Sequence, residues 1–374
     1  MRAPTVAPAT DLAPRVFSRE VSDFGVPNGR EEEWRFAPVR KLAAFFEPAD
    51  WGTVGLSGKH EACVEFVPIT DPRLSQSWMP TDRPSAIARA RATHAVLITI
   101  ANEAIHTSPI LVNLANSGSS NYLHVEVHAG AFSKAQVVLM HDTSSDVSGS
   151  MLAIVADQAD LTMLSVIDAE AAVTQHLHWF TEVGRDANFL GLSITLGGGV
   201  IRFVPTVTYS APGGKAQMLG AFLLTGDQFQ EHRILVDHTQ PHCTSNVIYK
   251  GALSGEGAHS VWIGDVLVRR EAVGIETYEL NRNLLLTDGP RADSVPNLEL
   301  ETGDVVGAGH ASATGRFDDE QLFYLQSRGI PEPIARQLVV RGFFVDVLNK
   351  IDDPELSSSL MRRIESKLGI EDHE

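Results

Sequence analysis

The stretch that decides the fold runs from residue 94 to residue 183. It contains the segments HAVLITI (94–100), PILVNL (109–114), YLHVEVHA (122–129), AQVVLMHD (135–142), LTMLSVIDA (161–169) and HLHWFTEV (176–183). Each segment is rich in Val, Ile, Leu or Thr, and turn-forming residues separate the segments, which is typical of short β-strands. No helical pattern long enough for a crossover between parallel strands lies among them. The sequence therefore predicts an all-β core over residues 94–317, and its periodicity leaves a sandwich and a solenoid open.

The N-terminal flank has a different composition. Residues 1–15 are rich in Ala and Pro, and we expect them to form a disordered tail. Residues 16–93 are predicted to be a helical region with a Pro-rich linker. Asn28 is the expected N-cap of two short helices divided by Pro38, and a further helix is expected over residues 84–93.

The C-terminal flank, residues 318–374, is predicted to be a helical domain. Asp318 and Asp319 place carboxylates where the first turn of a helix favours them, and Gly329 can adopt the left-handed conformation that ends a helix. Apolar residues then recur at helical spacing after Pro331, and a last helix is expected after Pro354.

Charge and cysteine content exclude several classes of protein. The formal net charge is −17 and the pI is near 5.2, so neither nucleic acid nor an anionic membrane surface is an expected partner. The two cysteines, Cys63 and Cys243, are too few for a disulfide framework or for the four thiolates of a self-contained iron-sulfur cluster. The N-terminus lacks the apolar core of a signal peptide, and no apolar run is long enough to span a membrane, which predicts a cytoplasmic protein.

His310 is the leading candidate for a metal ligand. It lies in a run of small residues (Gly307, Ala308, Gly309, Ala311 and Ser312) that leave its imidazole accessible to a metal or a second subunit. Neutral imidazole binds iron and other first-row transition metals well. The alternative is an ordinary surface histidine.

The segment DHTQPHC at 237–243 contains further candidate ligands, His238 and Cys243. If the segment is a strand pair with a turn at Gln240, neighbouring side chains face opposite sides of the sheet, and His242 and Cys243 cannot easily reach one ion. A role in core packing is therefore favoured over a stable metal site.

Two pairs of histidines have strand-like even spacing and therefore share a sheet face: His124 with His128, and His176 with His178. Neither pair has a cysteine nearby in the sequence. We interpret both pairs as part of a solvated sheet face.

Aromatic residues are in surplus on the predicted helix that follows Pro331. Phe343 and Phe344 lie partly off the apolar face of that helix, beside Arg341. Internal packing accounts for them, but aromatics next to an Arg are also the composition of an interface anchor.

Three blocks resemble the SufB/SufD family, the scaffold subunits of the Suf iron-sulfur cluster assembly machine. The first follows His310 and matches a Tyr-Leu-x-Ser-Arg-Gly-Ile signature with Tyr324, Leu325, Ser327, Arg328, Gly329 and Ile330. The second is similar to a block typical of SufD and comprises Glu32, Glu33, Trp34, Arg35 and Phe36. The third is Asp237-His238 with Cys243 and Ser245. One departure is Ala308, which stands where many members carry a cysteine.

The resemblance implies a mainly β fold, a right-handed parallel β-helix flanked by N-terminal and C-terminal helical regions. It also implies a non-catalytic subunit that works with a SufB-like paralogue and a SufC-like ATPase, which binds the ATP. His310 would contribute to a transient iron-sulfur cluster or iron at the interface, and no cofactor is expected to bind tightly to the isolated chain. The predicted contacts with partners are Tyr324, Arg328, Arg341, Phe343 and Phe344.

Chain length, the Glu32-Glu33-Trp34 block and the shortage of cysteine favour the SufD branch over a SufB-like scaffold. A homodimer is an alternative assembly when the chain is alone. The rival from another class is a β-helix enzyme acting on polysaccharide, which would need clustered carboxylates on one sheet face. A stand-alone metal-binding protein is the third hypothesis.

Overall fold

A computed structural model describes residues 16–141, 144–317, 319–351 and 353–369. In chain order the strands are β1 (Gly52–Thr53), β2 (Gly55–Ser57), β3 (Val64–Pro68), β4 (His94–Ile100), β5 (Ile110–Ala115), β6 (Ser120–Ala129), β7 (Lys134–Met140), β8 (Asp146–Val155), β9 (Asp160–Ala169), β10 (Thr174–Val183), β11 (Asn188–Gly197), β12 (Val200–Tyr209), β13 (Lys215–Thr225), β14 (Phe229–His238), β15 (Thr244–Ser254), β16 (His259–Val268), β17 (Ile275–Leu285), β18 (Arg291–Leu300) and β19 (Val305–Arg316). The α-helices are α1 (Arg83–Arg91), α2 (Asp319–Ser327), α3 (Glu332–Leu348) and α4 (Pro354–Lys367).

The strands form two sheets that alternate along the chain. The even-numbered strands from β4 to β18 lie in a ten-stranded sheet, and the odd-numbered strands from β5 to β19 lie in a nine-stranded sheet. Each strand pairs in parallel with the strand two places further along, as Thr174 of β10 pairs with Val200 of β12. Each coil of the chain thus adds one strand to each sheet, which confirms the predicted parallel β-helix and excludes the sandwich.

The core lies between the two sheets. Alternate residues of each strand point inward, so Leu177 and Trp179 of β10 meet Phe189 of the opposite sheet in one continuous apolar cluster. Trp179 and Trp262 are fully buried. Burial of a large apolar side chain contributes roughly 1.5 to 3 kcal/mol, so the repeated inward layers are the main source of stability.

The outer face of each sheet is covered by a different flank of the chain. Trp34, Phe45 and Phe46 of the N-terminal segment pack on the ten-stranded sheet. Val340 and Phe344 of α3 pack on the nine-stranded sheet, together with residues of α4. The two flanks therefore protect opposite faces of the solenoid.

The N-terminal flank differs from its prediction. The expected pair of short helices on either side of Pro38 is present only as two single 3-10 turns, residues 32–34 and 43–45. The chain there bends so that Trp34 and Phe45 both reach the sheet, and Pro38 cannot donate an amide to a continuing helix. The sheets also begin earlier than residue 94, because β1, β2 and β3 belong to them.

The helix predicted over residues 84–93 is confirmed as α1. Asp82 is its N-cap: the carboxylate accepts a hydrogen bond from the Ser85 backbone N–H, and the Ser85 side chain completes a capping box. This cap fixes the position of the Asp82 side chain on the outside of the solenoid.

The C-terminal flank is helical, as predicted. Gly329 follows α2 with a positive φ of 85°, and the Asp353 carboxylate accepts hydrogen bonds from the first turn of α4. Asp318, the side chain of Asp319 and the tail over residues 1–15 lie outside the described residues. Within the described part of the chain, no helix has the length and apolar character needed to cross a membrane.

The two ends of the solenoid are built differently. At the N-terminal end, β3 pairs antiparallel with β4 and β2 pairs antiparallel with β5, so both sheets finish on a reversed strand. At the other end, β18 and β19 are the last strands of their sheets, and no described residue pairs with their outer edges. We call the coil formed by β18 and β19 the open end.

Candidate functional site

His310 lies on β19 at the open end. It is in register with Glu279 of β17, and its side chain is 43% exposed. Gly307 and Gly309 precede it on the strand and add no side chain that could cover the ring. The accessibility predicted from the flanking sequence is therefore present in the structure, while a ligand role for His310 stays a prediction.

Glu279 lies directly beneath His310. Its carboxylate is almost completely buried, and Oε1 is 3.8 Å from Nδ1 of His310. Neither carboxylate oxygen meets good hydrogen-bond geometry with a described residue, although the Asn297 backbone lies close enough to offset a small part of the effect of burial. Burial, with a smaller contribution from Asp265, raises the pKa of Glu279 to about 8, so the carboxyl is largely protonated at neutral pH.

Polar side chains continue from Glu279 along the open end. Asn281 and Asn283 of β17 share a hydrogen-bond network with Ser294 of β18, in which the Ser294 hydroxyl donates to Asn281 Oδ1 at 2.6 Å. The Asn283 amide also donates to Thr314 of β19 at 3.3 Å. The last coil therefore combines these polar groups with apolar residues such as Leu298 and Val305, which pack against the main core.

The candidates His238 and Cys243 occupy the interior. His238 bonds through Nε2 to the Ser245 hydroxyl at 2.9 Å and stacks on Tyr209, and burial lowers its pKa to about 3. The Cys243 thiol points to the Ala211 and Pro241 carbonyls, and burial raises its pKa. These are the surroundings of packing residues, which the spacing of the segment favours, and a metal role for either stays a prediction.

The predicted partner contacts on α3 separate into two kinds. Phe344 is fully buried against the nine-stranded sheet, so its assignment as a partner-binding residue is wrong for the folded chain. Its ring packs on the apolar outer face of that sheet. Phe343 is half-buried, and the Lys250 ammonium lies 5.3 Å from its ring centre. Arg341 is partly exposed and forms an ion pair with Glu365 of α4.

The predicted contacts on α2 are at the surface. Tyr324 is exposed, with the Arg328 guanidinium 5.0 Å from its ring centre. Phe323, which the sequence analysis did not single out, is 71% exposed. The sequence could have indicated this exposure, because Phe323 and Tyr324 are adjacent on a helix and two adjacent side chains cannot both lie on its buried face.

The paired histidines were misinterpreted as part of a solvated face. His176 and His178 are on the outer face of the ten-stranded sheet, but the N-terminal segment and α1 cover them completely. Both rings approach the carboxylate of Asp82. His124 and His128 likewise flank a buried carboxylate, that of Glu126. Even spacing correctly placed each pair on one face, but it carried no information about what packs on that face.

Comparison with known proteins gives consistent results. The family model described as SUF system FeS cluster assembly, SufBD core domain, matches residues 112–343. An iron-sulfur cluster assembly SufBD family protein of Mycobacterium tuberculosis (strain H37Rv) is 43% identical over 366 residues, covering 94% of this chain and 92% of that protein. One from Mycobacterium leprae is 43% identical over 370 residues, covering 94% and 93%. The iron-sulfur cluster assembly protein SufD of Escherichia coli (strain K12) is 27% identical over 186 residues, covering 50% and 44%.

Proposed function

Because the chain belongs to the SufBD family of iron-sulfur cluster assembly proteins, we propose that it is a SufD-like scaffold subunit. In this proposal it assembles with a SufB-like paralogue and a SufC-like ATPase in the cytoplasm, and a nascent cluster forms transiently between the two scaffolds. The subunit itself has no catalytic turnover, and ATP is bound and hydrolysed by the partner.

The observation that supports the proposal most directly is the open end. β18 and β19 present free backbone edges next to an exposed histidine and two exposed apolar side chains, Val306 and Leu300. Free strand edges readily pair with another chain, and a paralogue with the same solenoid would extend both sheets. A second copy of this chain could occupy the same end when no paralogue is present.

The chemistry of the open end suits a shared site. His310 offers one imidazole, and Glu279 offers a carboxyl that can give up its proton when a cation binds nearby. A complete cluster ligand set needs thiolates, and neither of the two cysteines of this chain lies on β17, β18 or β19. The remaining ligands would therefore come from the paralogue.

The exposed face of α2 and α3 is the proposed contact with the ATPase. Phe323, Tyr324 and Leu338 are exposed there, and a groove of about 620 Å³ between these helices and the sheet is lined by Leu325 and Phe343, among others. Exposed aromatics beside an apolar groove are the composition of an interface hot spot. Phe343 lines this groove and Arg341 is partly exposed nearby on α3. Phe344 is buried between α3 and the sheet.

The first experiment tests pairing through the open end. Val306→Arg should abolish co-elution of the chain with the SufB-like paralogue, because a bulky charge would have to be desolvated in the interface. Ile105→Arg is the matched control, since Ile105 is similarly exposed but lies far from β18 and β19 in the chain. Undiminished co-elution of the Val306→Arg chain would place the interface elsewhere.

The second experiment tests His310 in the complex of all three subunits. His310→Ala should lower the yield of cluster, counted as iron and acid-labile sulfide, without changing the stoichiometry of the subunits. His60→Ala, at another exposed histidine, is the control. A normal cluster yield from the His310→Ala complex would remove the histidine from the site. In parallel, the isolated wild-type chain should retain no stable cluster after anaerobic reconstitution.

A further inference from the structure

We propose that Asp82, His176 and His178 form a binding site for a divalent first-row transition metal ion. The site is remote in sequence from the open end, and the inference does not depend on the proposed role in cluster assembly. Within the described part of the chain, these residues are the group of three potential ligands whose donor atoms all lie within 4.8 Å of one another.

The first step of the argument is convergence on one oxygen. His176 and His178 are separated by one residue of β10, so both rings leave the same face of the sheet. Nε2 of His176 and Nε2 of His178 are each 2.9 Å from the same atom, Oδ2 of Asp82. Two imidazole nitrogens and one carboxylate oxygen are a donor set typical of zinc and of non-haem iron.

The second step is that hydrogen bonding alone leaves this arrangement incomplete. His178 makes a hydrogen bond with Oδ2, whereas Nε2 of His176 lies 2.9 Å from the same oxygen outside good hydrogen-bond geometry, and Nδ1 of His176 has no partner among the described residues. A buried polar group without a partner costs roughly 1 to 3 kcal/mol. A metal ion at Nε2 would supply the missing interaction.

The third step is orientation by surrounding groups. The other Asp82 oxygen, Oδ1, accepts from the Ser85 backbone N–H at 2.9 Å, which leaves Oδ2 facing the histidines. Nδ1 of His178 lies 3.4 Å from the Thr81 hydroxyl, so the ring is held with Nε2 towards Asp82. Outer hydrogen bonds that orient a carboxylate and a histidine in this way are characteristic of metal sites.

The fourth step is size. In tetrahedral coordination with bonds near 2.0 to 2.1 Å, neighbouring donor atoms are roughly 3.3 Å apart. The observed separations of 2.9 Å from each nitrogen to Oδ2 would have to open by only a few tenths of an ångström.

The fifth step is access and charge. A cavity of about 250 Å³ is lined by Asp82 and Glu33, and a second of about 280 Å³ is lined by His178 and Thr81, so space for water adjoins the ligands on two sides. The Asp82 carboxylate would balance part of the charge of a divalent ion, whereas the Glu33 carboxylate already lies 3.8 Å from the Arg202 guanidinium. The nearby buried cation, Arg202, is already paired with Glu231.

The N-terminal block closes the proposed site. Trp34 stacks on His176 with ring centres 5.8 Å apart and planes 17° apart, and Glu33 lies beside it in sequence. The Glu32-Glu33-Trp34 block noted in the sequence therefore covers these histidines. This gives the block a local role that is separate from the C-terminal signature.

The Glu126 group provides an internal comparison of the same composition. His124 bonds to Oε1 of Glu126 and His128 bonds to Oε2, each at 2.8 Å. Each imidazole there has its own oxygen for Nε2, so no donor set converges, although Nδ1 of His124 has no hydrogen-bond partner among the described residues. His128 is therefore a matched control position for the proposed site.

The test uses the full-length, tag-free chain after treatment with a chelator. Cobalt(II) is titrated while its visible d–d absorption is recorded, and zinc(II) binding is measured by calorimetry. We expect one ion per chain, and we expect Asp82→Asn and His178→Gln each to weaken binding at least tenfold. His128→Gln and His310→Ala should bind as wild type does, and the His310 result separates this site from the open end.

Several results would overturn the proposal: no cobalt(II) or zinc(II) binding by wild type, equal binding by the Asp82→Asn and His178→Gln chains, or an equal loss in the His128→Gln control. Circular dichroism and melting temperature establish that each variant is folded. If Asp82→Asn does not fold, His178→Gln alone decides, because His178 caps no helix and lies at the margin of the second cavity.

Discussion

The Asp82 group and the open end each bring a histidine to a carboxylate, but they do so in opposite surroundings. At Asp82 the N-terminal segment and α1 cover two histidines, whereas at the open end nothing in the described chain covers His310. In the first region the donor atoms are already close together. In the second region one exposed donor lies over a buried acid at a free strand edge. Burial therefore makes the first group part of the fold, and exposure leaves the second available to another chain.

The largest expected effect on stability is at the buried group. Asp82→Ala should lower the free energy of unfolding by about 3 to 5 kcal/mol, because α1 loses its N-cap and two buried imidazoles lose their carboxylate. Urea denaturation of the purified chain measures the change. Asp71→Ala, which removes a carboxylate paired with Arg73 at the surface, should lower stability much less than Asp82→Ala does. Equal losses of unfolding free energy in the two variants would show that the Asp82 group stabilises the fold no more than a surface ion pair does.

The next effect depends on pH and concerns Glu279. Its folded-state pKa is raised to about 8, so between about pH 5 and pH 8 the folded chain retains a proton that the unfolded chain has released. Stability associated with this proton is complete at acidic pH and is lost as pH rises through 8. Glu279→Gln should remove that loss. Between pH 5 and pH 9 the free energy of unfolding should therefore fall by roughly 2 to 4 kcal/mol less in the variant than in wild type.

Chemical denaturation at a series of pH values tests the Glu279 prediction. Glu276→Gln, on the same strand but exposed, should follow the wild-type profile. Parallel profiles for wild type and Glu279→Gln would mean that the carboxyl is hydrated and ionised at neutral pH.

A smaller effect is expected at His310. His310→Ala should cost less than about 1 kcal/mol of unfolding free energy, since the side chain is partly exposed and its nearest charged neighbour, Glu279, is 3.8 Å away. His178→Ala, measured beside it, should cost more because His178 is buried and bonded to Asp82. If the two substitutions cost the same, the contrast between the two histidine regions would fail.

The smallest effect on stability is expected on α2. Phe323→Ser should change the free energy of unfolding by about 0.5 kcal/mol or less, because the ring is mostly in solvent. The same change should weaken co-elution with the SufC-like ATPase. Phe132→Ser, at another exposed aromatic outside α2, is the control for loss of surface apolar area. Retained co-elution would remove Phe323 from the proposed docking face.

Sequence reasoning succeeded where the signal is local. Short Val- and Ile-rich segments predicted strands close to their observed bounds, and the helix expected over residues 84–93 corresponds to α1. The small residues around His310 correctly indicated an accessible ring. The choice of a parallel β-helix over a sandwich came from resemblance to a family, because coils of unequal length leave no exact repeat to detect.

Sequence reasoning failed where a distant segment decides the surroundings. Phe344 is buried because α3 lies on the nine-stranded sheet, and His176 is buried because Trp34 lies on the ten-stranded sheet. In both cases the segment that buries the residue is far from it in the sequence. The Asp82 carboxylate is 94 residues from His176 and 96 from His178, beyond any spacing motif.

The sequence by itself determined the strand content, the helical C-terminus and the scarcity of thiolates, because composition and short-range periodicity fix these properties. The tertiary structure alone decided which histidines are covered and which are exposed. In a solenoid, every coil offers equivalent outward positions, and only the flanking segments that fold back on the sheets distinguish them. One such segment assembles the Asp82 group. No described residue pairs with the outer edge of the last coil, and His310 is accessible there.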